Sequence, residues 1–307
     1  MRALEQRDVE FFRDNGYVVV HDAVPPALCR PAVEALWAFL EMDPDDPESW
    51  YRFPARPGVT SVEMYHHQAL WDIRQCPRVY DAFADVLGQE RLWVSIDRVS
   101  FKPPLHPRHP DWDFKGFIHW DGALADLSAR TMVHVQGVLC LTDTGADMGG
   151  FQCVPGQHRR LKRRLRVERC RSRLRCWLGR PEPPAPDPPN PDPLSPASLV
   201  RAAWYSGYRE TAVKRFSNEA GDLIIWDQRL PHGNGRNVSG RPRLGLYITM
   251  NHAQEYYPAF RETRLRTWRE RTTPGDPRAW EQQHCEPAAL TDLGRRLLGL
   301  DSWKRPA

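Results

Sequence analysis

Hydrophobic positions recur with two different periods along the chain, and the change of period divides it. Leu4 to Asn15 reads as a short helix stopped at Gly16, a residue that can take the left-handed conformation of a helix end; the β-branched run Tyr17-Val18-Val19-Val20 then reads as a strand. Val33, Leu36, Trp37 and Leu40 follow the i, i+3, i+4, i+7 rule, which predicts an amphipathic helix over 26–41 with one buried stripe. Residues 43–58, rich in Pro and Asp, are expected to be loop. A further helix opens with Pro77 in its first turn, turns Val79, Phe83 and Val86 inward and closes at Gly88. From Arg91 the texture becomes β-branched and aromatic: Leu92 to Phe101, Gly116 to Asp121, Thr131 to Leu141, Thr211 to Ser217, Leu223 to Asp227 and Arg243 to Asn251 are strand candidates. The gaps between the first three are too short for helical crossovers, so antiparallel packing is expected. The link Thr142 to His158 is dense in Gly and Pro, and the part from Pro258 onward returns to helix-like, charged sequence broken at Pro274 and Pro287.

Residues 159–180 interrupt this plan with eleven Lys or Arg side chains, and they run into a Pro-rich stretch that extends through Pro196. Strand texture resumes beyond it, so about 159–198 reads as one insertion in a single domain spanning 1–307. The basic stretch either recruits an anionic substrate group, such as a phosphate, nucleotide or CoA, or is a solvated arm. Charge runs usually solvate, which favours the second.

Whole-chain properties narrow the class. A net charge of +4 over 307 residues exerts no strong pull towards nucleic acid or membrane, and no nucleic-acid fold signature accompanies the basic stretch. Seven cysteines without a CxxC pair fit reduced thiols better than a disulfide framework or a zinc ribbon. The first residues lack the apolar centre of a signal peptide, and no stretch approaches the ~20 apolar residues of a membrane span. A cytoplasmic protein acting on a small molecule is expected.

The chemistry starts from Phe117-Ile118-His119-Trp120-Asp121-Gly122. Side chains at i and i+2 of a strand share a face, so His119 and Asp121 can hold two adjacent positions of a metal. That is two-thirds of a 2-His-1-carboxylate triad, which suits non-haem Fe(II) and leaves positions open for a co-substrate and oxygen. The bland alternative is a hydrogen-bonded pair at a strand end. His232, just beyond the apolar strand that follows Gly221-Asp222, is the best third ligand, and Arg243 lies eleven positions later (243 − 232 = 11). A guanidinium there can pair in bidentate fashion with the carboxylate of a co-substrate such as 2-oxoglutarate. Arg241 competes for that role. Asn234 either touches the co-substrate or makes a turn. Trp120 is expected to face away from the ligands, His134 to be a core histidine, and His66, His67, His106 and His109 to lie at the surface.

In this arrangement the sequence resembles the phytanoyl-CoA dioxygenase family of Fe(II)/2-oxoglutarate oxygenases. The resemblance covers roughly residues 5–252. It rests on Phe11 to Val20, His119-x-Asp121, Gly149-Gly150-Phe151 with Val154-Pro155-Gly156-Gln157-His158, the Gly221-Asp222-strand-His232 segment and Arg243. It implies a mainly β fold with flanking α-helices around a double-stranded β-helix, a jelly-roll or cupin-like core. It also implies iron on His119, Asp121 and His232, with Arg243 on the distal carboxylate of 2-oxoglutarate. Gln136, on the strand after His-x-Asp, is the position from which family members recruit a second polar side chain. O2 is the second co-substrate, and oxidation of a C–H bond accompanies decarboxylation of 2-oxoglutarate to succinate. Related halogenases carry a small residue in place of the carboxylate ligand; Asp121 fills that position, which favours hydroxylation of an unactivated carbon. Desaturation, oxidative cyclisation and epimerisation use the same ligands. A non-catalytic β-helix binding module is the reading from another class, and the intact triad argues against it. A zinc hydrolase would leave Arg243 without a role.

Overall fold

The computed structural model describes residues 2–114, 116–120, 133–160, 212–273 and 275–303, together with Arg166, Val167, Cys170, Arg173 and Trp177. Asp121 and most of the expected insertion at 159–198 lie outside the described residues. Helix α1 (Gln6–Asn15) ends at Gly16 with φ of 83°, the left-handed geometry expected there. It leads into β1 (Tyr17–Val20), α2 (Pro26–Leu40), β2 (Ser61–Val62), α3 (Gln68–Arg74), α4 (Pro77–Leu87), β3 (Leu92–Val94) and β4 (Val99–Lys102). Strands β5 (Val135–Cys140), β6 (Phe151–Cys153), β7 (Lys214–Arg215), β8 (Leu223–Asp227), β9 (His232–Asn234), β10 (Arg243–Tyr247) and β11 (Met250–His252) follow, and α5 (Pro258–Glu270), α6 (Trp280–His284) and α7 (Asp292–Leu298) close the order.

Six strands form one antiparallel sheet in the order β1-β8-β5-β10-β4-β2, and β7-β6-β9 form a smaller antiparallel sheet. Strand alternation separates the functions of the two faces of the large sheet. Leu223 and Ile225 of β8, and Leu244 and Leu246 of β10, pack into the core shared with the helices. Tyr17, Val138, Ile224 and Trp226 point the other way and join Phe151 and Phe216 in a second apolar cluster between the sheets. Arg243 and Tyr247 stand on that inner side as well, because they alternate with the two leucines.

The Gly-Asp turn before β8 is built by backbone contact. Gly221 has φ of 95°, and a Cβ on it would meet the carbonyl oxygen of Val24 at 2.1 Å. The Asp222 carboxylate accepts hydrogen bonds from the Asp22 and Glu219 amides and from the Asn218 side chain. Gly221→Ala is expected to destabilise the protein by at least about 2 kcal/mol, since it adds left-handed strain to a clash with backbone that cannot move aside. The midpoint of chemical denaturation measures this, and an unchanged midpoint would contradict the contact.

Several boundaries differ from the sequence expectations. The predicted Leu36 and Leu40 of α2 are fully buried, but the stripe is completed on the side of Ala32, Ala35 and Phe39, with Val33 and Trp37 only half-buried. The same i, i+3, i+4, i+7 spacing fits both sets, and small alanines let that side approach the core. Leu92 to Phe101 is two strands, in separate sheets, and Arg243 to Asn251 is likewise broken into β10 and β11. Helix α3 and the three-residue β6, set among turn glycines, carry too few residues to show a period. His66 is 1 % exposed, against the expected surface placement. Its Nε2 meets the Thr272 carbonyl oxygen at 2.9 Å, and burial pushes its pKa down to about 4. The Glu281 carboxylate, fully buried, accepts the amides of Tyr65, His66 and His67. These polar partners come from more than two hundred positions away, so the local sequence around His66 holds no trace of them. The described cysteines are free thiols.

Candidate active site

The site is centred where β9 meets the stretch 117–119. His119 and His232 exchange backbone hydrogen bonds at 2.7 and 3.0 Å, and the Phe117 amide donates to Asn234. Residues directly opposite on antiparallel strands project to the same side, so the two imidazoles meet with ring centroids 4.6 Å apart. The backbones touch so closely that a Cβ on Gly233 would lie 2.0 Å from the Phe117 carbonyl oxygen; only glycine fits between the histidine and Asn234. His232 is buried at 4 % exposure beside Trp226 and Phe151. Its Nδ1 lies 2.8 Å from the Leu230 carbonyl oxygen, which can only accept. Nδ1 therefore carries a proton, which leaves Nε2 as the nitrogen that can offer a lone pair, the arrangement a metal-binding histidine needs. Cys153, opposite His232 on β6, is fully buried, and burial raises its thiol pKa so that it stays protonated. Asp121 lies outside the described residues.

A cavity of about 280 Å³ opens between the sheets, lined by both imidazoles, Gln136, Trp226, Asn234 and Tyr247. Gln136 stands on β5 opposite Trp226, and its Oε1 is buried without a hydrogen-bond partner. Asn234 lines the cavity and accepts a hydrogen bond from Arg243 Nη2 at 2.9 Å. Arg243 is 3 % exposed, has no carboxylate partner among the described residues, and leaves Nε without a hydrogen bond. Arg241 is exposed and lines a separate groove, which removes it as a competitor. Trp120 is half-buried with its indole N–H donated to the Arg229 carbonyl oxygen. His106 and His109 pack against Tyr51, away from the two imidazoles.

Sequence reasoning missed the remaining lining. Thr60, Ser61, Asp97, Arg98 and Thr249 add a polar wall. Arg98 pairs with Glu63 at 3.2 Å, and Asp97 accepts the Arg98 amide at 2.8 Å. Burial raises the Asp97 pKa, and the adjacent Arg98 and Arg74 only partly oppose it. Tyr247 was legible in principle, because it lies four positions beyond Arg243 on the same strand face. Burial alone would push its hydroxyl up, but the Arg243 guanidinium and hydrogen bonds with Ser100 and Asn234 bring it below the usual phenol range.

The family model for phytanoyl-CoA dioxygenase (PhyH) matches residues 12–245. The chain belongs to the phytanoyl-CoA dioxygenase family. Fe(II) and 2-oxoglutarate are the cofactor and co-substrate of that family. A Dictyostelium discoideum protein named after phytanoyl-CoA dioxygenase is 22% identical over 289 residues, covering 78% of this chain and 73% of its own length. The Ava biosynthesis cluster protein O of Aspergillus versicolor is 22% identical over 250 residues, covering 78% of this chain and 75% of its own. Among solved structures, a hypothetical protein of Escherichia coli, JW0805, shares the fold with a TM-score of 0.65 at 16% identity, over 96% of this chain and 82% of its own. Among the described residues no helix is long and apolar enough to cross a membrane.

Proposed function

We propose that the chain is an Fe(II)- and 2-oxoglutarate-dependent oxygenase that hydroxylates an unactivated C–H of a small organic metabolite, in secondary metabolism and in the cytoplasm. In this reading one domain, 1–307, is built on a double-stranded β-helix and carries an insertion at about 159–198. His119, Asp121 and His232 hold the iron, Arg243 takes the distal carboxylate of 2-oxoglutarate, and Gln136 and Asn234 contact the co-substrate. The observation that carries the reading is Arg243. A buried guanidinium without a carboxylate among the described residues, beside a cavity with two converging imidazoles, is a costly arrangement unless an anion completes it.

The residues present fit the cofactor and co-substrate. The His232 tautomer is fixed for binding through Nε2, and Arg243 Nε and Gln136 Oε1 are buried atoms without a hydrogen-bond partner among the described residues. Iron held there supplies oxygen activation coupled to decarboxylation of 2-oxoglutarate. The chain's own part is orientation and exclusion of water: Phe151 and Trp226 wall the histidine, and Arg243 with Asn234 fixes the end of the co-substrate remote from the metal. The polar wall of Thr60, Ser61, Asp97, Arg98 and Thr249 supports a small substrate with hydrogen-bonding groups in preference to a bare acyl chain.

Anaerobic titration with Fe(II) and 2-oxoglutarate tests the reading. A visible charge-transfer band is the expected result, and no band in the wild type would sink it. Asp121→Ala is expected to abolish 2-oxoglutarate turnover, measured as succinate formed. Incorporation of labelled oxygen from O2 into product separates hydroxylation from desaturation.

A further inference from the structure

Lys102 and Arg243 are directly opposite each other in the register of β4 and β10. Their neighbours Phe101 and Leu244 belong to the helix-side core, so both cationic side chains stand on the inner side. Lys102 is 2 % exposed. Its Nζ donates to the Gly235 carbonyl oxygen and lies 3.9 Å from the centre of the Phe114 ring, while Arg243 donates to Asn234, the residue before. Two cations therefore converge on one turn. Like charges paired across strands repel, and burial without a counter-charge makes this worse. Asp113 is the acidic group facing Lys102, and its carboxylate is already gripped by Arg236 at 2.7 and 2.6 Å. Among the described residues, Tyr247 and the buried thiol of Cys140 are further titratable neighbours of Arg243, and neither supplies an obligate negative charge.

We propose that Lys102 and Arg243 together seat the distal carboxylate of 2-oxoglutarate, and that Lys102 Nζ takes up a proton from solvent as the co-substrate enters. The inference rests on the functional reading above and adds a second cation to it. In the empty protein, burial first and Arg243 second push the Lys102 pKa down to about 6, so at neutral pH the amine is mostly neutral. An incoming carboxylate favours the ammonium form and raises that pKa. Proton uptake follows wherever the pH lies above the empty value and below the bound one. It falls to about half near pH 6, where Lys102 is half charged before binding, and fades as the pH drops further.

Calorimetric titration of the Fe(II)-loaded protein with 2-oxoglutarate, without oxygen and in two buffers of different ionisation enthalpy, counts the protons. Near pH 8 the wild type is expected to take up close to one per co-substrate bound, and near pH 5.5 only about a quarter of one. Lys102→Met should remove the uptake and weaken binding by about tenfold to a hundredfold, the loss of one charge-assisted hydrogen bond. Lys102→Arg should bind within about threefold of wild type but without uptake, because a guanidinium stays charged throughout. A wild-type protein that forms the visible band yet takes up no proton would overturn the proposal, as would undiminished uptake in Lys102→Met. Absence of the band would instead overturn the iron and 2-oxoglutarate reading itself.

Discussion

His232→Ala is expected to abolish the visible complex with Fe(II) and 2-oxoglutarate and to lower succinate formation by on the order of a thousandfold or more, the equivalent of ~4 kcal/mol in activation free energy. The reason lies in how rigidly the ring is set. Its Nδ1 is committed to the Leu230 carbonyl, its backbone is locked to His119 by two hydrogen bonds, and Trp226 and Phe151 flank its faces. No described carboxylate or imidazole other than His119 stands close enough to replace it, and Cys153 opposite is held protonated by burial. His232→Gln retains most of the packing volume and keeps a polar head group, so it isolates ligation from the cavity that alanine leaves. Equal loss in both variants, with thermal stability kept in the glutamine one, locates the effect at the metal. Substantial turnover in either would show that the iron sits elsewhere.

The parts of the molecule that could be read from sequence are those whose cause is local. Tyr17 to Val20 and Leu223 to Asp227 are continuous β-branched or apolar runs that pair with each other in the large sheet, and both strands have the predicted bounds. Gly16 and Gly88 end their helices because left-handed geometry belongs to the residue itself. The shift of the α2 stripe shows where periodicity stops being informative: two sets of residues share one spacing, and packing selects between them. In the site, His119, His232 and Arg243 were found through their spacing in the chain, whereas Lys102, Asp97 and Arg98 were not. Asp97 and Arg98 reach the cavity from the loop before β4, Lys102 ends that strand opposite Arg243, and nothing in their own neighbourhood marks them. His66 is the same case in the core, since the groups that satisfy it, Glu281 and Thr272, belong to the C-terminal part beyond the span matched by the family model. Strand register, which sequence does not reveal, is what brings Lys102 opposite Arg243.

Arg243→Met carries the other large expected effect, and its sign differs between function and stability. The affinity for 2-oxoglutarate should fall by about a hundredfold, or ~3 kcal/mol, because a bidentate charged partner is lost from a buried site. The loss should appear chiefly in KM, since the guanidinium acts on the end of the co-substrate remote from the reacting carbon. Arg243→Lys should recover little, because a single ammonium cannot reproduce the planar fork and Asn234 would lose its donor. Arg241→Met, at an exposed position, should change neither constant. In the empty protein the same Arg243→Met substitution removes a buried cation that faces Lys102 and has no carboxylate partner among the described residues. Truncating an ordinary buried side chain costs stability, whereas here unfolding should become harder by about 1–3 kcal/mol, as when buried charges give way to well-packed apolar groups. Wild-type protein should then gain thermal stability from 2-oxoglutarate, while Arg243→Met starts higher and needs about a hundredfold more co-substrate for the same gain. A variant that was less stable when empty, yet responded to 2-oxoglutarate at the same concentrations as the wild type, would mean that Arg243 serves the fold and that another group grips the co-substrate.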